Sequence, residues 1–246
     1  RILKEVLPFW FTLTAGLLYV TADALMIKWL YNAEALGIYK AVIKLSEMAL
    51  LPGIFFMQAL VPVISKLVQK PNLKTLTTKA TAGMLMYSIP TVTGCWILGP
   101  DIIHLIYGQA YSSGTTAFMV YNTTIITAPL LYLSNHLLLT HHLYKQSMAI
   151  STTTTLLNVG LNLYLIPKYW ILGAAIGTTI ASLLDLTLST YTFHKHYPLI
   201  KISKMAFTKI ALSTAFMCLT LFILPDESNT ILKRSEEHTS ELQSPC

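Results

Sequence analysis

Residues 36–64 read LGIYKAVIKLSEMALLPGIFFMQALVPVI, and this stretch decides the fold class. Its 29 residues are mostly apolar, and its three charged side chains are Lys40, Lys44 and Glu47. An α-helix rises about 1.5 Å per residue, so about 20 apolar residues cross the hydrocarbon core of a bilayer. The stretch therefore predicts a transmembrane helix.

Comparable apolar stretches recur along the whole chain and predict a bundle of transmembrane helices. We place seven spans, at Leu7–Leu30, Leu36–Ile64, Thr81–Leu98, Thr115–Thr140, Met148–Ile166, Leu172–Phe193 and Met205–Leu224. Turn chemistry predicts the breaks, at Asn32–Glu34, Lys70-Pro71-Asn72, Gly99-Pro100-Asp101, Pro167-Lys168 and Tyr197-Pro198. The fold class is thus all-α, a polytopic membrane bundle with about seven transmembrane helices.

The composition of the whole chain agrees with this fold class. Of its 246 residues 54% are hydrophobic and 11% are charged, and the mean hydropathy is +0.57. Soluble domains carry about 25% charged residues, so this chain has too few to cover a water-facing surface. Disordered segments are polar and rich in charge, which excludes that class as well.

The basic residues predict the orientation of the bundle. Eleven of the sixteen Lys and Arg residues before position 234 fall in connections on one predicted side. By the positive-inside rule that side is cytoplasmic, so the segment at residue 1 starts in the cytoplasm and span seven ends outside. Because the lysines are spread over several loops and form no stripe with aromatic residues, we expect no nucleic-acid partner.

Several polar residues lie at membrane depth, where ionisable groups usually mark function. Lys40, Lys44 and Glu47 are spaced by four and three residues, which puts them on one face of span two. Asp23 lies in span one and Asp185 in span six. These groups are either structural ion pairs between helices or the lining of a polar central cavity, and their concentration in spans one and two favours the cavity.

The chemistry of these side chains suggests their roles. A lysine in a cavity suits a phosphate, so Lys40 and Lys44 are candidate substrate-binding residues. Asn158 and Asn162, one helical turn apart in span five, are further candidates for the cavity wall. Asp23, Glu47 and Asp185 are candidates for coupling to Na⁺ or H⁺, or for charge balance.

His136, His141 and His142 form a His-x4-His-His pattern at the end of span four. Membrane metal enzymes use several such boxes with acidic ligands, which this chain does not supply, so we expect no metal site. Cys95 and Cys218 lie in apolar runs and indicate neither a disulfide nor a metal site. No motif indicates a cofactor, and we expect the protein not to be an enzyme.

Three stretches resemble the polysaccharide flippases, a Wzx-like family in the superfamily that also holds the lipid II flippases and the MATE exporters. The first runs from Asp23-Ala-Leu-Met through Gly37-Ile-Tyr39 to Val61-Pro62-Val-Ile-Ser65, the second is Ile106-Tyr107-Gly108-Gln-Ala-Tyr111, and the third runs from Leu157-Asn158 through Pro167 to Gly173-Ala-Ala-Ile-Gly-Thr178. The family has two six-helix lobes around a central cavity, often followed by two extra helices.

The resemblance implies that residues 1–197 form the second lobe and residues 198–233 an additional transmembrane helix. Residues 234–246 depart in composition and look like translated sequencing adapter, so we expect a non-native tail and a chain that lacks its first, N-terminal lobe. The implied function is to move an undecaprenyl-diphosphate-linked oligosaccharide from the cytoplasmic to the outer leaflet of a bacterial inner membrane, by alternating access. Its partners would be that lipid-linked oligosaccharide, the bilayer and a coupling ion, H⁺ or Na⁺.

Three other functions stay open from the sequence. A cation-coupled multidrug exporter of the same superfamily would favour acidic over basic cavity residues, which Lys40 and Lys44 argue against. A membrane-embedded transferase would use the histidines. A passive structural membrane protein would place no charged face in a water-filled cavity.

Overall fold

Helices make up nearly all of the part of the chain that the structure describes, which is residues 2–67, 72–196 and 204–223 of a computed structural model. They are α1 (Ile2–Leu30), α2 (Ala33–Leu67), α3 (Asn72–Tyr107), a short 3₁₀ helix (Gln109–Gly114), α4 (Thr115–Tyr121), α5 (Thr124–Thr140), α6 (Tyr144–Tyr169), α7 (Ile171–His196) and α8 (Lys204–Ile223). The chain is an all-α membrane bundle, as the sequence predicts.

Each predicted span lies on one helix except Thr115–Thr140, which covers α4 and α5, and only Leu224, the last residue of span seven, falls outside the described residues. Within the described ranges four helices are long and apolar enough to cross a membrane alone: α2, α3, α6 and α7. The 3₁₀ turn, α4 and α5 form a fifth span if the bent pair counts as one. The predicted spans on α1 and α8 are helical over their described residues.

Of the breaks predicted between spans, one is confirmed, two are wrong or misplaced, and two lie largely outside the described residues. The break after span one is confirmed, because the Asn32 side chain accepts a hydrogen bond from the Ala35 N–H at 2.8 Å and so caps α2. The predicted turn at Gly99-Pro100-Asp101 is wrong, since α3 continues through it to Tyr107. The turn at Pro167-Lys168 is also misplaced, because α6 runs on to Tyr169. The breaks at Lys70-Pro71-Asn72 and Tyr197-Pro198 fall largely outside the described residues.

The chain at these two positions differs from the predicted turns. Gly99 lies against α4, where a Cβ would make ordinary contact with Phe118 at 3.4 Å, and α3 continues past it to Tyr107. The α6–α7 reversal instead falls at Trp170, whose φ is 57°. Gly173 is needed just after it, because a Cβ there would collide with the Leu165 carbonyl.

The predicted span Thr115–Thr140 is broken at Asn122–Thr123, where the two halves bend by 44°. A break inside a membrane frees carbonyls that other groups must satisfy. Trp96 Nε1 donates to the Met119 carbonyl at 2.7 Å, and Thr179 Oγ1 donates at 3.2 Å to the Val120 carbonyl, which also accepts the Thr123 N–H. The bend is therefore held from both sides, by α3 and by α7.

A second carbonyl is freed in the same span by Pro129. In a regular helix the N–H of residue 129 would bond the carbonyl of Ile125, but proline has no N–H. Ser88 Oγ on α3 donates to that carbonyl at 2.9 Å, and Ser88 is fully buried. A hydroxyl from the neighbouring helix thus replaces the missing backbone bond.

Helices α6 and α7 form an antiparallel pair at the centre of the bundle. Helix α1 packs along α6, while α4 and α5 pack on α7; α2 and α3 lie beyond α5, and α8 packs on α3. This arrangement brings the middle of α1 against the facing sides of α6 and α7. It leaves one face of α2 without a neighbour among the described residues.

Candidate functional site

The carboxylate of Asp23 is the best-buried charged group that the structure describes, at 3% exposed. Its Oδ2 accepts hydrogen bonds from the hydroxyls of Tyr39 at 2.9 Å and Thr178 at 2.5 Å. Its Oδ1 accepts one from Asn162 Nδ2 at 2.5 Å. These donors come from α2, α7 and α6, so one carboxylate on α1 joins four helices.

A second layer of polar groups surrounds this contact. Asn162 Nδ2 also donates to Asn158 Oδ1 at 3.2 Å, and Asn158 Nδ2 donates to Thr178 Oγ1 at 3.4 Å. Tyr19 from α1 donates its hydroxyl to the Thr178 carbonyl at 2.9 Å. We call these residues, Asp23, Tyr39, Asn158, Asn162 and Thr178 with Tyr19, the Asp23 cluster.

Gly177 makes room for the Asp23 cluster. A Cβ at this position would collide with Oδ1 of Asn162, so only glycine lets α7 approach α6 closely enough for the asparagine to reach Asp23. Gly160, on the same helix as Asn162, is different: a Cβ there would meet nothing within 4 Å. The packing therefore requires glycine at position 177, at the level of the Asp23 carboxylate, and not at position 160.

The electrostatics of the cluster define what it can do. Removing a carboxylate from water is costly unless charge or hydrogen bonds compensate. Among the described residues Asp23 has three donors but no Lys or Arg partner. The Oδ1 of Asn162 is buried with no hydrogen-bond partner. A carboxylate, amide and hydroxyl oxygens around one buried point suit a small hard cation, or a proton on the carboxylate itself.

The charged residues of α2 lie apart from this cluster. Lys44 and Glu47 are 68% and 48% exposed, and Lys44 Nζ lies 3.4 Å from Glu47 Oε2. Lys40, one turn earlier, is exposed on the same side of the helix. Exposed Leu51 and Phe55 continue this side toward the other end of α2. We call it the α2 face.

The α2 face is unsuited to lipid. A charged side chain at the centre of a bilayer costs about 2.5–3.5 kcal/mol on insertion scales. Glu47 lies 14 residues into α2, which puts it about 21 Å from the helix start and close to its middle. The other strongly exposed faces of the bundle carry apolar side chains such as Leu17, Leu156 and Leu212. Water or another protein surface therefore fits the α2 face better than hydrocarbon does.

Asp185 forms a third, separate group. Its Oδ1 accepts a hydrogen bond from Ser189 Oγ at 2.9 Å, and its Oδ2 accepts one from Thr154 Oγ1 at 3.4 Å. Asp185 is partly buried, whereas Ser189 and Thr154 are almost fully buried. It lies on the α6–α7 interface, as the Asp23 cluster does, but nearer the lysine-rich end of the helices.

The structure thus divides the residues predicted from sequence. It joins Asp23 with Asn158 and Asn162, pairs Lys44 with Glu47 near Lys40, and leaves Asp185 alone. Asn158 and Asn162 are fully buried and bond within the Asp23 cluster, so their contact with substrate stays a prediction. Sequence reasoning missed Thr178 and gave Tyr39 no role. The signal for Thr178 was its place beside Gly177, in an apolar helix.

The histidines do not come together as ligands. His136 Nε2 lies 3.2 Å from Ser65 Oγ, and His142 Nδ1 lies 3.1 Å from the Tyr144 hydroxyl. His141 packs edge-on against Phe193, and burial together with neighbouring His142 lowers the pKa of His141. Within the described ranges no group of three or more His, Cys, Asp or Glu side chains is placed to hold a metal.

A carboxylate buried where α1 meets α6 and α7, inside a helical membrane bundle with a charged face open to one side, is a feature found in secondary transporters. The family model for the lipid II flippase MurJ matches residues 38–231, and the model for polysaccharide biosynthesis proteins matches residues 1–68. The chain belongs to the lipid II flippase MurJ family. This membership places the chain in a family of membrane transporters and not of enzymes.

Solved structures show the same fold. The chain is similar to a lipid II flippase MurJ in an inward closed conformation, with a TM-score of 0.70 and 19% identity over 92% of this chain and 49% of the other. It is also similar to an outward-facing multidrug resistance MATE transporter, with a TM-score of 0.67 and 14% identity over 88% of this chain and 52% of the other. No curated protein sequence matches the chain.

Two facts follow from these comparisons. The chain spans about half the length of the solved transporters that it resembles. The predicted superfamily is confirmed, and the longer family match is to the lipid II flippases rather than to the polysaccharide flippases that the sequence resembles.

Proposed function

We propose that the complete protein moves a lipid-linked saccharide diphosphate from the cytoplasmic to the outer leaflet of a bacterial inner membrane, by alternating access. In this proposal residues 1–197 are the second of two lobes, residues 198–233 add a helix, and the α2 face lines the cavity between the lobes. Lipid II and undecaprenyl-diphosphate-linked oligosaccharides belong to this substrate class, and the two family matches support each of them in turn.

The observation that carries the proposal is the pair of exposed lysines on the α2 face. A lysine ammonium is a point charge with three donors, which suits a diphosphate. The Lys44–Glu47 contact is long, at 3.4 Å, and both side chains are largely exposed, so a substrate phosphate can replace Glu47 at little cost. Glu47 balances the charge of Lys44 when the cavity holds no substrate.

The Asp23 cluster is the proposed coupling site. Binding of Na⁺ or H⁺ would neutralise Asp23, and loss of the ion would restore a buried charge. Because Asp23 ties α1 and α2 to α6 and α7, its state of charge sets how firmly these helices hold together. Substrate and ion would then be linked through α2, which carries Tyr39 on its buried side and Lys40 on its exposed side.

Complementation by the complete coding sequence tests the substrate class. One host is depleted of its lipid II flippase, and a second lacks its polysaccharide flippase. We expect rescue of growth in the first or of surface polysaccharide in the second, and the host that recovers identifies the substrate. We expect the Lys44→Ala variant to lose rescue at normal protein level. Lys168→Ala is the matched control, since Lys168 lies at a helix end over the Tyr169 ring, 5.4 Å from its centroid. Rescue of neither host would contradict the proposal.

The second candidate is a cation-coupled multidrug exporter. It is favoured by the carboxylates of Asp23 and Glu47 and by the fold shared with a MATE transporter. The exposed lysines argue against it, because they repel a cationic drug. Energy-dependent export of a cationic dye by the complete protein, with no rescue of either host, would establish this function instead.

A further inference from the structure

We infer that a cavity between α3, α5 and α7 binds a glycerophospholipid, with part of one acyl chain inside the cavity and the phosphate at Lys74. The lipid belongs to the leaflet at the lysine-rich end of the bundle, the end that carries Lys66, Lys74 and Lys145 and that the sequence predicts to be cytoplasmic. None of the described residues that line the cavity lies on α1, α2 or α6, so the site is separate from the Asp23 cluster and the α2 face. The inference does not depend on which substrate the protein moves.

The cavity has the size of a short section of hydrocarbon chain. Its volume is about 170 Å³, and α5, which packs against both α3 and α7, forms its middle wall. An engineered apolar cavity of about 150 Å³ holds a benzene molecule, so this cavity has room for about six carbon atoms. Its apolar lining consists of Leu85, Leu130, Leu133, Leu137, Leu186 and Phe193.

The cavity adjoins a surface of α7 that faces lipid. Ile180, Leu183, Thr187 and Tyr191 are spaced by three, four and four residues and form one exposed, uncharged side of this helix. The half-buried Leu186, which lines the cavity, lies next to this side, three residues beyond Leu183. Because lipid chains are the molecules that contact such a surface at membrane depth, a lipid chain is the occupant that the position of the cavity favours.

Two layers of the lining follow the order of chemical groups in a phospholipid. The leucine layer consists of Leu85, Leu130 and Leu186, and the hydroxyl layer consists of Thr81, Ser134 and Thr190. Helix α3 begins at the lysine-rich end, whereas α5 and α7 end there. In each helix the hydroxyl residue is therefore four residues, or one turn, nearer that end than the leucine. Hydrocarbon deeper in the membrane and hydrogen-bond donors nearer its surface match an acyl chain and its ester group.

Thr81 supplies a donor that the helix itself does not use. Thr77, one turn earlier, donates its hydroxyl to the Leu73 carbonyl of the same helix at 3.0 Å. Thr81 is 5% exposed, and its Oγ1 has no hydrogen-bond partner among the described residues. A buried hydroxyl without a partner is costly, and an ester carbonyl of the lipid is the acceptor that satisfies it.

The rim of the cavity at the lysine-rich end carries the charge that a phosphate requires. Lys74 is exposed and lies seven residues before Thr81, so the two share one side of α3, with Lys74 about 10 Å nearer the membrane surface. On α5, His141 follows Leu137 by one turn, and its ring packs edge-on against Phe193 of α7, with 5.3 Å between the centroids. Basic pockets between membrane helices at this level bind lipid phosphates.

Photolabelling of the complete protein tests the site. The probe is a phosphatidylglycerol with a diazirine within about the first six carbons of one acyl chain, the part that the cavity admits. The purified protein is delipidated in detergent, titrated with the probe and irradiated, and the labelled peptides are identified by mass spectrometry. We expect saturable labelling of residues that line the cavity on α3, α5 or α7, and competition by unlabelled phosphatidylglycerol.

Three variants separate the chain, the ester group and the phosphate. Leu186→Trp fills the cavity and should weaken the apparent affinity about tenfold, the loss expected when about two methylene groups are displaced. Leu183→Trp, on the exposed side of α7, is its matched control and should bind like wild type. Lys74→Ala should weaken binding about fivefold, whereas Lys79→Ala, on the opposite side of α3, should not. Thr81→Val should weaken binding without lowering the unfolding temperature of the delipidated protein, which a purely structural hydroxyl would not do.

Three results would overturn the inference. The first is labelling that falls outside the cavity lining. The second is equal affinity for wild type and Leu186→Trp, or equal effects of the Lys74 and Lys79 variants. The third is full competition by an undecaprenyl-diphosphate disaccharide at equal concentration, which would assign the cavity to the tail of that substrate. No transport step enters the assay, so each of the first two results leaves the proposed function unchanged.

Discussion

Replacement of Gly177 by alanine is the sharpest test of how the Asp23 cluster is built. The added methyl group would collide with Oδ1 of Asn162, so either the asparagine moves away from Asp23 or α7 moves away from α6. The first response breaks the bond from Asn162 to Asp23, at 2.5 Å, and the bond from Asn162 to Asn158, at 3.2 Å.

The size of the effect follows from these two bonds. A hydrogen bond to a charged group contributes about 1.5–3 kcal/mol and a neutral one about 1 kcal/mol. Replacing glycine by alanine within a helix also stabilises the folded state by about 0.5–1 kcal/mol, because alanine restricts the unfolded chain. The expected net loss is about 2–3 kcal/mol, which corresponds to a fall of about 5–10 °C in the unfolding temperature of a domain of this size.

Thermal unfolding of the detergent-solubilised complete protein measures the fall. Gly160→Ala is the matched control, since its methyl group would meet nothing, and we expect an unchanged or slightly raised unfolding temperature. In an Asn162→Ala background the Gly177→Ala change should cost nothing further, because the collision partner is gone. Equal shifts for Gly177→Ala and Gly160→Ala, or an undiminished cost in that background, would refute the geometry.

Three further predictions follow from single contacts. Asp23→Asn should abolish any rise in unfolding temperature that Na⁺ or lower pH gives the wild type; a retained rise would move the ion site elsewhere. Ser88→Ala should lower the free energy of unfolding by about 1–2 kcal/mol, since it leaves the buried Ile125 carbonyl without a donor. Pro129→Ala supplies the missing N–H, so Ser88→Ala should cost less in that background. Equal costs in the two backgrounds would show that the Ser88 hydroxyl does not replace the backbone bond. Lys44→Ala should weaken binding of the labelled undecaprenyl-diphosphate disaccharide about tenfold while Lys168→Ala leaves it unchanged, measured by titration; equal affinities would remove Lys44 from the site.

The fold was largely readable from the sequence because lipid imposes one simple requirement. Residues 36–64 had to be helical once they were recognised as a span, since unpaired backbone is too costly in hydrocarbon. The errors came from prolines. In soluble proteins such residues usually form turns, as we predicted at Gly99-Pro100-Asp101 and Pro167-Lys168. In the bundle neighbouring helices pack against these residues and the helix continues.

The bend at Asn122–Thr123 could not be read in advance. It depends on Trp96 and Thr179, which lie 26 residues before and 57 after Asn122 along the chain and reach the carbonyls at the bend only in the folded bundle. Nothing within Thr115–Thr140 itself distinguishes a bent pair from one straight helix, because its one proline, Pro129, lies away from the break.

The candidate site was readable only in part. An ionisable residue such as Asp23 inside a span is a functional candidate, because a charged side chain within a membrane costs free energy. Its partners were not predictable, because Asn162 and Thr178 are 139 and 155 residues away along the chain. Only packing shows that the Asp23 cluster and the α2 face are two sites, joined by one helix.

Cysteine accessibility tests whether the α2 face lines a water-filled cavity, as we propose. In the complete protein with every native cysteine replaced, Lys44→Cys is treated with a membrane-impermeant maleimide in vesicles of both orientations. Leu156→Cys is the control, because Leu156 is as exposed as Lys44, at 68%, but lies on an apolar face of α6. We expect labelling at position 44 from at least one side and none at position 156. Failure to label position 44 from either side would contradict it.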